Sequence, residues 1–260
     1  EYCTPQVFSL AEQFLSKNKD KDNWFLQIEC FDPHEPFHAP KRFKELFPTN
    51  YDGPILDWPI YDRVKETREE ISELKANYAA LVTMVDEYFG KLLDYFDRYD
   101  LWKDTALILT TDHGFLLGEH DWWAKNRMPV YNEIAHIPLM IYHPDFKNKA
   151  GARINSLTQT IDIMPTFLDF FGLDIPNDVS GNSLLNVLEK DNEIRKALIF
   201  GYFGSACNIT DGEYTYFRYP EKMSASDLYE YTLMPTRMTS RFSIKELSEM
   251  TLSNPFKFSK

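Results

Sequence analysis

The run Thr105-Ala106-Leu107-Ile108-Leu109-Thr110-Thr111 constrains the fold most. It is aliphatic and β-branched without polar alternation, which predicts a strand covered on both faces. Such a strand needs a layer on each side, so the chain reads as α/β. Ile137-Pro138-Leu139-Met140-Ile141-Tyr142 reads as a second buried strand, and residues 24–30 as a third.

Helical periodicity fills the intervals. Residues 7–17 carry Phe8, Ala11, Phe14 and Leu15 on one face. Residues 64–99 form the longest helical stretch, with Tyr78, Leu81, Val82, Val85, Tyr88, Phe89, Leu92, Leu93 and Phe96 as its core stripe. Residues 162–172 read as a helix with Asp162 in the N-cap region and Gly172 just past its end, and residues 183–188 as a short one. The pattern changes near residue 195. Short strands are expected at 198–203, 206–210 and 214–219, with Asp211-Gly212 as a hairpin turn and a helix at 243–252. The expected fold class is α/β: a central β-sheet flanked by helices on both faces, followed by a small antiparallel sheet with a C-terminal helix. The expected domains are residues 1–195 and 196–260.

Composition bounds the partners. The 260 residues hold 28 Lys plus Arg and 40 Asp plus Glu, so the net charge is 28 − 40 = −12. A balance this acidic argues against nucleic acid and against an anionic membrane surface. No apolar run approaches the ~18–20 residues of a membrane span. Cys3, Cys30 and Cys207 are too few and too scattered for a disulfide framework or a zinc site, and read as buried or incidental thiols. The sequence leaves oligomeric state and compartment open.

The chemistry gathers after strands. Asp112-His113-Gly114 ends the first strand, and in open α/β sheets ligands collect at strand carboxyl ends. A carboxylate and an imidazole there suit a divalent metal. Equally, Asp112 can cap the next turn while His113 packs. His120, Lys125 and Arg127 follow in one irregular stretch, where cations can hold a tetrahedral oxyanion. His34 lies between Pro33 and Pro36 in a long Pro-rich, aromatic stretch, residues 32–62. A stiffened imidazole suits proton transfer to a leaving group or oxyanion binding; a loop hydrogen bond is the simpler role.

Phe31-Asp32-Pro33-His34-Glu35-Pro36-Phe37, Leu109-Thr110-Thr111-Asp112-His113-Gly114-Phe115-Leu116-Leu117-Gly118-Glu119-His120, Lys125 and Tyr131-Asn132-Glu133-Ile134-Ala135-His136-Ile137-Pro138-Leu139 together resemble the sulfatases of the alkaline-phosphatase-like superfamily. Residues 160–169 and 181–185 are similar to that family's downstream pattern, so the resemblance covers residues 5–190 in family order. It implies a hydrolase of sulfate monoesters whose partner is a small-molecule sulfate ester. Asp112 and His113 would be metal ligands, with calcium foremost and the site incomplete in this chain. His34 and Lys125 would be the catalytic contacts to the ester oxygen and the sulfate, with His120 at a family position near the pocket as a further substrate-binding residue; Arg127 joins them as a substrate-binding candidate from the cation cluster alone.

The chain departs from the family at the nucleophile. Sulfatases use a Cys or Ser in C/S-x-P-x-R, converted to formylglycine, and an upstream Asp-Asp pair that completes the metal site. In Cys3-Thr4-Pro5-Gln6-Val7, Val7 stands where Arg is required, and in the segment from Cys30 to His34, Asp32 stands where Pro is required. The expectation is the C-terminal part of a longer sulfatase, inactive alone. The alternatives are a phosphodiester or phosphonate hydrolase of the same superfamily, and a non-catalytic anion- or metal-binding module.

Overall fold

The computed structural model describes residues 2–202, 205–221, 229–230, 240–249 and 256–257. They fall in two compact units, Glu1–Lys196 and Ala197–Lys260.

The first unit is organised by helix α3, Arg68–Arg98, whose 31 residues extend about 46 Å at 1.5 Å per residue. It starts four residues later than the periodicity suggests, because Thr67 and Glu70 close a reciprocal capping box there. Its inward face is Leu74, Asn77, Ala80, Leu81, Met84, Leu92 and Phe96. Val82, expected in the core, is 42% exposed; the face turns through Met84 instead. Helices α1 (Cys3–Asn18) and α2 (Lys41–Lys44) pack against α3. Leu15 of α1 joins Leu92, Phe96 and Leu101 in one cluster; Phe37, Ala39 and Phe43 join Leu74, Leu81, Met84 and Trp123 in another.

Strand β1, Leu107–Thr110, pairs antiparallel with β4, Leu139–Tyr142, with Leu109 opposite Met140. Neither strand is covered on both faces, contrary to expectation. All four β1 residues are half-buried, and Met140 is 62% exposed, because two paired strands alone cannot enclose both faces. Between them lie the short antiparallel pair β2 (Leu116–Leu117) and β3 (Trp123–Ala124) and the single-turn helix α4, Asn132–Ala135. Residues 24–30 have no ladder partner among the described residues. They are extended and alternate in burial rather than being buried throughout: Trp24, Leu26 and Ile28 turn to the Leu15–Phe96 cluster, while Phe25 is exposed and meets the Phe167 ring edge-on.

Helices α5 (Ile163–Phe170) and α6 (Leu185–Lys190) close this unit. Asp162 makes no side-chain cap to α5. Its fully buried carboxylate instead accepts from the backbone N–H groups of Gln159 and Asn182 and from both terminal nitrogens of Arg195.

In the second unit, β5 (Leu198–Gly201), β6 (Cys207–Thr210) and β7 (Thr215–Arg218) form an antiparallel meander. Asp211-Gly212 makes the turn between the last two: Gly212 takes φ 93°, and the Asp211 carboxylate accepts from the N–H groups of Glu213 and Tyr214. β8 (Tyr229–Glu230) pairs with β9 (Phe256–Lys257), and α7 spans Ile244–Glu249. The expected helix residues 250–252 lie outside the described residues. No helix of the described residues is long and apolar enough to cross a membrane. Cys3 and Cys207 are exposed rather than buried, Cys30 is half-buried, and all three are free.

Candidate active site

Each candidate residue is placed by a short, well-fixed segment. Asp112 and His113 follow β1 directly. The Asp112 carboxylate accepts from the His113 N–H at 2.9 Å. His113 Nδ1 lies 3.0 Å from the Gly114 carbonyl, which can only accept, so the ring proton sits on Nδ1. Nε2 lies 3.3 Å from Asp112 Oδ2, so the imidazole and the carboxylate stand side by side. Gly114 N–H donates to the Ile134 carbonyl, and the two backbones run so close that a Cβ on Gly114 would stand 1.8 Å from the Glu133 carbonyl oxygen. That contact fixes the Asp112-His113 turn against α4.

These two donors fit a cation as part of its shell. Among the described residues no third carboxylate, imidazole or thiol gathers with them. A hard cation such as calcium takes about six to eight oxygen ligands.

His34 is held by a similar device. Its Nδ1 lies 2.7 Å from the Glu35 carbonyl and 3.3 Å from Glu35 Oε2, so this ring too carries its proton on Nδ1 and leaves Nε2 for a ligand. The Phe31 ring packs on it at 4.5 Å. Upstream, Thr4 of α1 donates to the Asp32 carboxylate at 2.6 Å.

Glu35 is a site residue for which the sequence assigns no role. It is 1% exposed; its Oε1 accepts from the Tyr61 hydroxyl, and its Oε2 has no hydrogen-bond partner. Burial first, and then the Glu35 carboxylate, push the Tyr61 phenol well above its ordinary range. A Glu between a His and a Pro in a polar loop carries no signal of burial; the aromatic density of residues 32–62 was the available hint.

Lys125 follows β3 and is 6% exposed, with no hydrogen-bond or ion-pair partner among the described residues. Its Nζ lies over the Phe115 ring, 5.9 Å from the centroid. Phe115 also meets Phe37 and Tyr61 edge-on, at 5.6 and 6.5 Å. It therefore stands between the Lys125 hairpin and the segment holding His34, Glu35 and Phe37.

His120 is already engaged. Its Nε2 lies 3.1 Å from both Glu133 oxygens, and its ring stacks on Tyr131 at 3.9 Å. Its own backbone N–H first, and after it His120, hold the Glu133 carboxyl below the usual range. Arg127 is exposed and lines a shallow groove with Trp58, Tyr61 and Asp62. Burial pushes the Cys30 thiol up, which makes it a poor nucleophile at neutral pH.

The structure of BT4656 in complex with its substrate D-glucosamine-2-N,6-O-disulfate superposes with a TM-score of 0.69, at 22% identity, over 82% of this chain and 60% of that one. The phosphonate monoester hydrolase of Silicibacter pomeroyi superposes with a TM-score of 0.67, at 25% identity, over 82% of this chain and 51% of that one. The fold is the α/β fold of the alkaline-phosphatase-like sulfatases. The sulfatase family model matches residues 1–173, and the model for the C-terminal region of N-sulphoglucosamine sulphohydrolase matches residues 118–254. The chain belongs to the sulfatase family. It is 39% identical to the N-acetylglucosamine-6-O-sulfatase of Bacteroides thetaiotaomicron over 131 residues, 49% of this chain and 23% of that protein. It is 28% identical to the arylsulfatase of Clostridium perfringens over 214 residues, 76% of this chain and 44% of that protein. The chain thus spans less than half the length of these curated relatives.

Proposed function

We propose that this chain carries the sulfate-contacting part of a hydrolase of sulfate monoesters. The observation that carries the reading is Lys125, whose stem is buried while its ammonium has no hydrogen-bond or ion-pair partner among the described residues. A cation held on a buried stem and left unpaired is available to an anionic group that arrives with the substrate. In this reading Lys125 neutralises charge on the sulfate oxygens. His34, its Nδ1 proton held on the Glu35 carbonyl, presents Nε2 to the leaving oxygen and in its doubly protonated form gives that oxygen the Nε2 proton, ending neutral. Arg127 and His120 are further substrate contacts.

Asp112 and His113 are proposed as two ligands of a divalent cation, calcium foremost. When bound, such an ion withdraws charge from the sulfate oxygens. The remaining ligands and the nucleophile are proposed to lie outside these 260 residues, which would leave the chain inactive alone. Residues 1–195 would then be the C-terminal part of the α/β catalytic domain, and residues 196–260 its small antiparallel subdomain.

A phosphonate monoester is the second reading, favoured by the likeness to the Silicibacter pomeroyi hydrolase. Titration of the purified chain with inorganic sulfate and with phenylphosphonate separates the two. The sulfate reading expects sulfate to bind more tightly, with Lys125→Met weakening it about tenfold or more, as loss of a charge-assisted contact implies. Unchanged sulfate affinity in Lys125→Met would overturn it; aryl sulfate turnover that disappears with Cys3→Ala would instead overturn the proposal that the chain is inactive alone.

A further inference from the structure

We propose that Glu133 is a positioning residue: its carboxylate holds the His120 ring so that Nδ1 is the nitrogen offered to the substrate, while its backbone braces the Asp112-His113 turn. This rests on the proposal above that His120 is a substrate contact, and it adds the residue that aims it.

His120 is fixed from several sides. It lies between β2 and β3 and takes φ 55°, a left-handed conformation that a residue with a Cβ adopts at some cost. Its carbonyl accepts from Arg63 Nη1 at 3.3 Å, and that guanidinium lies over the Trp122 ring at 4.3 Å and pairs with Asp121 at 3.8 Å. The imidazole stacks on Tyr131 with 11° between the planes. Backbone, ring face and Nε2 are therefore all held. Yet the His120 and Glu133 side chains are each 40% exposed, and exposed ion pairs add little to stability. Stability gives little reason to fix this ring; presenting one particular nitrogen gives a better one.

The acceptors decide which nitrogen. Glu133, held below the usual carboxyl range, is ionised at neutral pH and can only accept. Nε2, 3.1 Å from both of its oxygens, therefore carries a proton in either charge state of the ring. Nδ1 has no hydrogen-bond partner among the described residues and is left for a ligand. His34 and His113 are set the other way round, with Nδ1 committed to a loop carbonyl.

Glu133 reaches the other half of the site through its main chain. It sits in the first turn of α4, and its carbonyl oxygen is the atom against which Gly114 packs. The Gly114 N–H donates to the next carbonyl, that of Ile134, at 2.9 Å. Tyr131 is the N-cap residue of the same helix. One short turn thus carries the carboxylate and the ring that hold His120, and the backbone that backs Asp112 and His113. A displacement of α4 would move the substrate contact and the candidate metal ligands together.

The test is NMR of the ring nitrogens in the 260-residue chain and its Glu133→Ala and Glu133→Gln variants, with the His120 signals assigned by their loss in His120→Gln. At about pH 8.5, where ordinary imidazoles are neutral, wild type is expected to keep the ring proton on Nε2. Glu133→Ala is expected to lower the ratio of Nε2–H to Nδ1–H tautomers about tenfold or more, as loss of a charge-assisted bond implies. Glu133→Gln keeps an acceptor at the same reach and should recover most of that ratio, which a general loosening of the loop would not allow. At about pH 5.5, where ordinary imidazoles carry both protons, inorganic sulfate should move the His120 Nδ1 resonance more than Nε2. A tautomer ratio unchanged in Glu133→Ala overturns the inference and leaves the sulfate reading standing. So does sulfate binding that depends on Lys125 without moving His120 Nδ1. A wild-type ring proton on Nδ1 overturns it whether or not the variants fold. If wild type binds no sulfate, the sulfate reading fails and this inference with it.

Discussion

Arg195 grips both carboxylate oxygens of Asp162 at 2.5 Å, with Asp162 fully buried and Arg195 almost so. This pair ties residue 195 back to the start of α5. Burial pushes the Asp162 carboxyl up, but Arg195 and the N–H groups of Asn182 and Gln159 outweigh it and hold the group below the usual range. Arg195→Met should therefore destabilise the first unit by about 3–5 kcal/mol at neutral pH, since it strands a buried charge. The folded-state value is depressed, so the pair's stabilisation is complete above the ordinary value of 3.8 and fades as pH falls through the lower folded value. Urea unfolding at pH 7 and near pH 3 should show the gap between wild type and variant narrowing in acid.

Lys125→Met should move stability the other way. It removes a charge that has no partner among the described residues and puts an apolar side chain in the place of a buried stem, so the variant is expected to melt slightly higher than wild type while binding sulfate more weakly. Calorimetric melting with and without sulfate reads both effects. A lower Tm without ligand would mean that Lys125 has a partner stabilising the fold.

Tyr61→Phe deletes the only hydrogen-bond donor to the Glu35 carboxylate among the described residues. Stranding that buried group is expected to cost about 1–3 kcal/mol in chemical denaturation. A loss within experimental error would indicate that His34 Nδ1, 3.3 Å from Glu35 Oε2, makes up for the lost phenol.

Two glycines provide a matched pair. Gly114→Ala would place a methyl 1.8 Å from the Glu133 carbonyl oxygen and should cost about 1–3 kcal/mol or more. Gly90→Ala, inside α3 with nothing within 4 Å of the added carbon, should stabilise by about 0.5–1 kcal/mol. The two unfolding midpoints should shift in opposite directions.

Calcium should bind this chain no more tightly than about 0.1 mM, because Asp112 and His113 supply two donors of a larger shell. Titration calorimetry measures it directly. Micromolar affinity would mean that the shell is complete within these residues.

The sequence revealed most where local rules act alone. The helices containing Leu15 and Phe96 and the Asp211-Gly212 turn follow from spacing and turn chemistry. The burial of residues 24–30 did not, because an apolar run shows what the side chains prefer and nothing of what covers them. Phe25 and Met140 are exposed for that reason. His34, Asp112, His113 and Lys125 were legible as a motif. Their supports were not: Glu35 and Tyr61 are 26 residues apart, and only tertiary packing brings a carboxylate and a phenol together in a buried pair.

The extended segment at residues 24–30 has a consequence for handling the molecule. Its peptide groups make no backbone hydrogen bonds among the described residues, and Phe25 and Phe31 stand out beside them. Such a row of free donors and acceptors is a template onto which another extended chain can zip, rung by rung. Gln27 and Glu29, exposed on the outward face, are the polar interruptions along it. Replacing them with Val would turn a tolerable seam into an adhesive one, and the chain would leave solution as fibrous aggregate before it lost its helices.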